Sequence, residues 1–96
     1  MNYLNYSPNI TYMQQADKEN LIKLGKRVKY LREQTKESLN SFVLNRGGLT
    51  TATWSRIENG KFDIKFSTLI KVAALLNITV NELLKDIPIN YYVNDD

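Results

Sequence analysis

Between residues 17 and 86 the apolar positions recur at helical spacing in a series of short blocks. Leu21, Leu24, Val28 and Leu31 fall on one stripe that Asp17 or Asn20 can cap, so the spacing predicts a first helix from about 18 to 34. Ser38 suits the N-cap of a second helix, in which Leu39, Phe42, Val43 and Arg46 recur at i, i+3, i+4 and i+7 before Gly47-Gly48 stops it. Leu49 and Trp54 stand at N′ and N4 of a third helix capped by Thr50, the pair that forms a hydrophobic staple. That helix is expected over about 51–58, ending at Asn59-Gly60. After a loop from Lys61 to about Lys65, Ser67 can cap a fourth helix with Leu69, Val72, Ala73 and Leu76 on its apolar face. Asn77 suits the left-handed residue that follows it. Thr79-Val80-Asn81-Glu82 is a capping box with Ile78 and Leu83 as its staple, which predicts a fifth helix from about 80 to 85. No such helix is stable alone in water, so the apolar faces must pack together in one bundle.

The two ends read differently. Residues 1–16 are rich in Asn and Tyr, contain Pro8 and show no helical period, so a flexible or extended arm is expected ahead of a helical domain at 17–86. Residues 87–96 run Ile-Pro-Ile-Asn-Tyr-Tyr-Val into an acidic tail. They favour strand pairing or a disordered tail, and Pro88 restricts a strand to a sheet edge or a strand start. The expected fold class is all-α, five helices with short non-helical extensions, the C-terminal one strand-like.

Composition removes most chemistry. The 96 residues include no Cys and no His, which excludes disulfides, structural zinc, thiol nucleophiles and an imidazole base. The remaining carboxylates and lysines form no paired set at a recognisable spacing, so no enzyme, metal or cofactor is expected. No apolar run approaches the roughly 20 residues that span a bilayer, and no export leader opens the chain. A soluble cytoplasmic protein without a membrane partner is the expectation. The net charge of +3 is unevenly spread: residues 21–71 hold eleven basic side chains against four acidic ones, whereas the flanks hold two against six. A basic body with acidic ends suits an anionic partner approaching one side, although a solvated lysine-rich surface accounts for the charge equally well.

The second and third helices, joined by Arg46-Gly47-Gly48-Leu49-Thr50, have the layout of a helix-turn-helix. In that layout the second helix of the pair enters the DNA major groove, which is about 12 Å wide and admits one helix. With Leu49, Trp54 and Ile57 turned inward, Thr51, Ala52, Thr53, Ser55 and Arg56 face solvent, a polar surface with no acid to repel phosphate. Many small helical domains contain such a pair, so a protein-interaction module on the same fold stays open. Lys23, Lys26 and Lys29 read as a solvated face. Arg46 suits equally the dipole at the end of its own helix and a phosphate.

Leu24-Gly25-Lys26-Arg27-Val28-Lys29-Tyr30-Leu31-Arg32-Glu33, Ser38, Trp54-Ser55-Arg56-Ile57-Glu58-Asn59-Gly60-Lys61, Thr68-Leu69-Ile70-Lys71-Val72-Ala73 and Asn81-Glu82-Leu83-Leu84 occur in this order. Over residues 21–84 they resemble the lambda-repressor/Cro family, also called the XRE-type helix-turn-helix family. The resemblance implies a five-helix domain that binds operator DNA, usually as a homodimer on a palindromic site, and regulates transcription in a prokaryote or phage. Family base-reading positions match Thr51, Ala52, Thr53, Ser55 and Arg56, with Arg56 able to make a bidentate contact to guanine. Phosphate-contact positions match Ser38, Leu39 and Asn40 at the start of the second helix, and Asn59, Lys61 and Lys65 after the third. Arg46 and Thr50 at the turn are assigned with them. Arg32 and Glu58 match a structural ion pair. Phage repressor, restriction-modification controller and antitoxin-like autorepressor are equally compatible. Self-association through the fifth helix or 87–93, or a protein partner on the C-terminal segment, is expected. Three departures stand out: one extra residue between Ser38 and Glu58, placed at Gly47-Gly48; Trp54 where Ile or Val is usual, expected to rest beside Leu49 and Ile57; and Ile64-Lys65 in place of Pro-Ser.

Overall fold

A computed structural model describes residues 12–91, which form five α-helices in the order α1 (Tyr12–Gln34), α2 (Leu39–Arg46), α3 (Thr51–Glu58), α4 (Phe66–Leu75) and α5 (Val80–Leu84), with no strand among them. The capping residues explain most of these boundaries. Ser38 accepts from the Ser41 amide and Thr50 from the Thr53 amide, while Thr79 and Glu82 close a reciprocal capping box. Asn77 takes a left-handed φ of 60° after α4, as an amide side chain permits.

Two boundaries depart from the expected ones. Helix α4 starts at Phe66 with Lys65 at the N-cap and no side-chain cap, so Ser67 lies inside the first turn. Helix α1 starts at Tyr12 and passes through Asp17 and Asn20 instead of being capped by them. Tertiary contacts extend it: Ala16 is buried, and Glu19 and Asn20 both bond to Asn90. Of the expected N-terminal arm, residues 12–16 are therefore helical and 1–11 lie outside the described residues.

The C-terminal segment is also not the strand its residue types favoured. Residues 87–91 run irregularly along α1, where Asn20 donates to the Asn90 carbonyl at 3.0 Å and accepts from its amide at 2.7 Å. Lys23, expected to be merely solvated, donates to the Pro88 carbonyl at 2.6 Å, and Arg27 caps the end of α5 through the Leu83 and Glu82 carbonyls. Side chains of α1 thus satisfy the backbone that a sheet partner would otherwise pair. Residues 92–96 lie outside the described set.

Val28, Phe42, Val43, Trp54, Ile57, Val72, Ala73 and Leu83 form the core, contributed by all five helices. Helix α3 packs most extensively on α1, and Gly25 is where they meet. A Cβ built on Gly25 would lie 2.5 Å from the Ile57 carbonyl oxygen and 2.6 Å from that of Glu58. Gly60, just past α3, has a φ of +70° and would bring a Cβ within 2.7 Å of Ile22 Cα. Both contacts hold the third helix against the first.

Candidate nucleic-acid interface

The orientation of α3 is set by its only acidic residue. Glu58 is turned into the molecule, where Arg32 Nε donates to its Oε2 at 2.6 Å and Arg32 Nη2 to its Oε1 at 3.1 Å. A further donor is the Trp54 indole, 2.7 Å from Oε2. Trp54 is fully buried, its ring 4.8 Å from that of Phe42, as its expected place in the core requires. The i,i+4 spacing of Trp54 and Glu58 is the sequence signal for this contact, since residues four apart share a helix face. Hydrogen bonding to Glu58 raises the pKa of Arg32 above its ordinary value against the opposing effect of burial, and the Glu58 charge adds to it. Arg32 also donates to the Glu37 carbonyl at 3.1 Å, so one guanidinium ties α1, the entry to α2 and the end of α3 together.

With Glu58 inside, the outer face of α3 carries no negative charge. Ala52 and Arg56 are exposed, and Thr51, Thr53 and Ser55 are half-buried on the same short helix. The Thr50 hydroxyl donates to Thr53 Oγ1 at 3.0 Å, which leaves the Thr53 hydroxyl proton free to point elsewhere. Asn59 turns back to cap α3, donating to the Ser55 carbonyl at 2.8 Å. Lys61 and Lys65 stand exposed in the loop that follows.

At the start of α2, Ser38 and Asn40 are exposed whereas Leu39 packs partly against the core, so the backbone amide is what Leu39 can offer an anion. Arg46 is tied down. Its guanidinium pairs with the Glu37 carboxylate, donates to the Leu75 carbonyl at 3.0 Å and lies 3.9 Å over the Phe42 ring. These contacts join the ends of α2 and α4, and Glu37 is a partner that sequence patterning did not reveal. In the turn between α2 and α3 both glycines take positive φ, 69° at Gly47 and 85° at Gly48.

Five helices, with a two-glycine turn between the second and a third whose acid is sequestered, have the layout of a helix-turn-helix domain. A family model described as a helix-turn-helix domain matches residues 25–87. The chain is similar to Control protein C.MunI of Mycoplasma sp, with 40% identity over 67 residues that cover 69% of this chain and 89% of that protein. No solved structure matches it. The chain belongs to the XRE-type helix-turn-helix family of DNA-binding transcription regulators. No helix among the described residues is long and apolar enough to cross a membrane.

Proposed function

We propose that this protein is a sequence-specific regulator, a repressor or autorepressor without enzymatic activity, that reads the major groove of a palindromic operator with α3. The observation that carries this reading is the inward Glu58. It strips the outer face of α3 of negative charge while Arg56, Lys61 and Lys65 remain exposed at its end and in the next loop. In this reading Thr51, Ala52, Thr53, Ser55 and Arg56 meet base edges. Ser38, Leu39, Asn40, Thr50, Lys61 and Lys65 meet phosphates, whereas Asn59, matched to a phosphate position by the resemblance, serves mainly to cap α3, since its backbone and side-chain amides both donate to Ser55. Arg46 serves mainly to fix the helix ends, since its donors are engaged within the protein. The similarity to a protein described as a control protein favours a restriction-modification controller over a phage repressor or an antitoxin-like autorepressor.

A shift assay with duplex DNA and a salt titration tests the reading. Phosphate contacts make log K fall with log salt at a slope of about −0.9 per neutralised phosphate, whereas absence of binding at low salt would sink it in favour of a protein-interaction module. Arg56→Ala is expected to relax the site preference and cost about 1–3 kcal/mol of binding. Lys61→Ala is instead expected to weaken binding to all sequences alike.

A homodimer accompanies this reading, because one recognition helix reads few base pairs and a twofold pair reads two half-sites about 34 Å apart. Support comes from Phe66 and Ile70, exposed one turn apart on α4, an apolar surface additional to α5. Sedimentation of the full chain is expected to give twice the monomer mass; a monomer at all concentrations would remove the symmetric-operator element.

A further inference from the structure

Two arginines of this chain lie over phenylalanine rings, and the two contacts differ in what they leave free. Arg46 sits over Phe42, but its Nε donates to the Leu75 carbonyl and its Nη1 to the Glu37 carboxylate and the Phe42 carbonyl. Arg56 Cζ sits over the ring of Phe62 at 5.8 Å from its centroid, and no hydrogen bond or ion pair engages its guanidinium among the described residues. An aromatic face attracts a guanidinium through the ring quadrupole and consumes none of its in-plane donors. A carboxylate partner would occupy those same donors. Arg56 is thus held by a contact that restricts its chain while leaving its whole hydrogen-bonding edge available.

The ring is itself fixed by the way α3 ends. The Gly60 amide bonds to the Ile57 carbonyl at 3.1 Å and the Lys61 amide to the Arg56 carbonyl at 2.9 Å, the paired bonds of a glycine-terminated helix. The second of these returns the chain to Arg56 itself, so the next residue, Phe62, emerges beside the Arg56 side chain. Gly60 cannot be replaced without strain, because of its φ of +70° and its approach to Ile22. Phe62 is half-buried and packs against the core. A rigid ring under a long, rotamer-rich side chain lowers the ordering cost that a bidentate contact must otherwise bear.

We propose that Phe62 is a positioning residue for base readout, holding the Arg56 guanidinium over its ring with both edge donors free to pair with a guanine. This rests on the reading of Arg56 as a base contact. The test compares bound sequences selected from a random duplex library by the full chain and by its Arg56→Ala, Phe62→Leu and Phe62→Trp variants. Preference among bases is a ratio, so a general loss of folded protein does not move it, and Leu retains the apolar packing of residue 62. Phe62→Leu is expected to lower the preference at the base pair read by Arg56 by about two- to five-fold, the range of an exposed cation–π contact. Other positions should be unchanged, and Phe62→Trp, with the stronger ring face, should restore the preference. If Arg56→Ala abolishes the preference at that base pair and Phe62→Leu does not touch it, the positioning role is overturned and Arg56 stands as a reader. A uniform change at every position on Phe62→Leu also overturns it. If Arg56→Ala changes nothing, the base-reading role itself falls, and the role of Phe62 with it.

Discussion

Glu58→Ala is expected to lower folding stability by about 3–5 kcal/mol, the cost of breaking a buried ion pair from one side. The carboxylate accepts from two nitrogens of Arg32 and from the Trp54 indole, and all three donors lie in buried side chains. Alanine leaves two guanidinium nitrogens, Nε and Nη2 of Arg32, and an indole N–H out of water without their acceptor, which penalises the folded state far more than the lost attraction alone. For a domain of this size the melting temperature should fall by roughly 4–8 °C per kcal/mol, and urea unfolding gives the free energy directly. An apolar exchange of both partners, Arg32→Met with Glu58→Leu, should recover much of the loss, because it removes the buried charges together. A double variant as unstable as Glu58→Ala would show that the pair does more than neutralise itself.

Gly25→Ala is expected to destabilise at or above the upper end of the about 1–3 kcal/mol typical of overpacking. Helix propensity alone gives the opposite sign, since alanine gains about 1 kcal/mol over glycine inside a helix. Contact geometry decides between them. The added Cβ would press into the Ile57 and Glu58 carbonyl oxygens, and these are backbone atoms with no rotamer to change. Helix α3 would have to lift from α1, which also loosens the Arg32–Glu58 pair. A falling urea midpoint accompanied by weaker operator binding is the expected result; a rising midpoint would show that the seam can open at little cost.

Much of this architecture is legible from local signals. The caps at Ser38, Thr50 and Thr79 act within one turn of the chain, so the sequence displays them directly. The apolar stripes that placed Val28, Phe42, Trp54, Ile57 and Val72 inside are equally local. What escaped is what depends on a distant partner. The first turns of α1 carry no apolar period of their own, and Glu19 and Asn20 bond to Asn90 about seventy positions away. Ile87 and Ile89 have strand-forming side chains but no neighbouring strand among the described residues, and α1 side chains take the partner's place. Lys36 adopts a left-handed φ of 66° after α1 that its residue type does not signal.

The candidate site divides the same way. Thr51, Ala52 and Arg56 follow from helical phase, and the Arg32–Glu58 pair came with the family resemblance. Arg46 read as open between two roles because nothing in the sequence places Glu37 and the Leu75 carbonyl around it. Phe62 read as an ordinary loop residue because its relation to Arg56 arises only when Gly60 folds the chain back.

Trp54 is the chain's one tryptophan, and it is shielded from water between the core and the buried acid of α3. Indole emission from this protein therefore has a single origin, the seam where α3 joins its support. The fluorophore is turned away from the exposed face of α3, so its spectrum monitors the anchoring of that helix from the rear, separately from contact at the front.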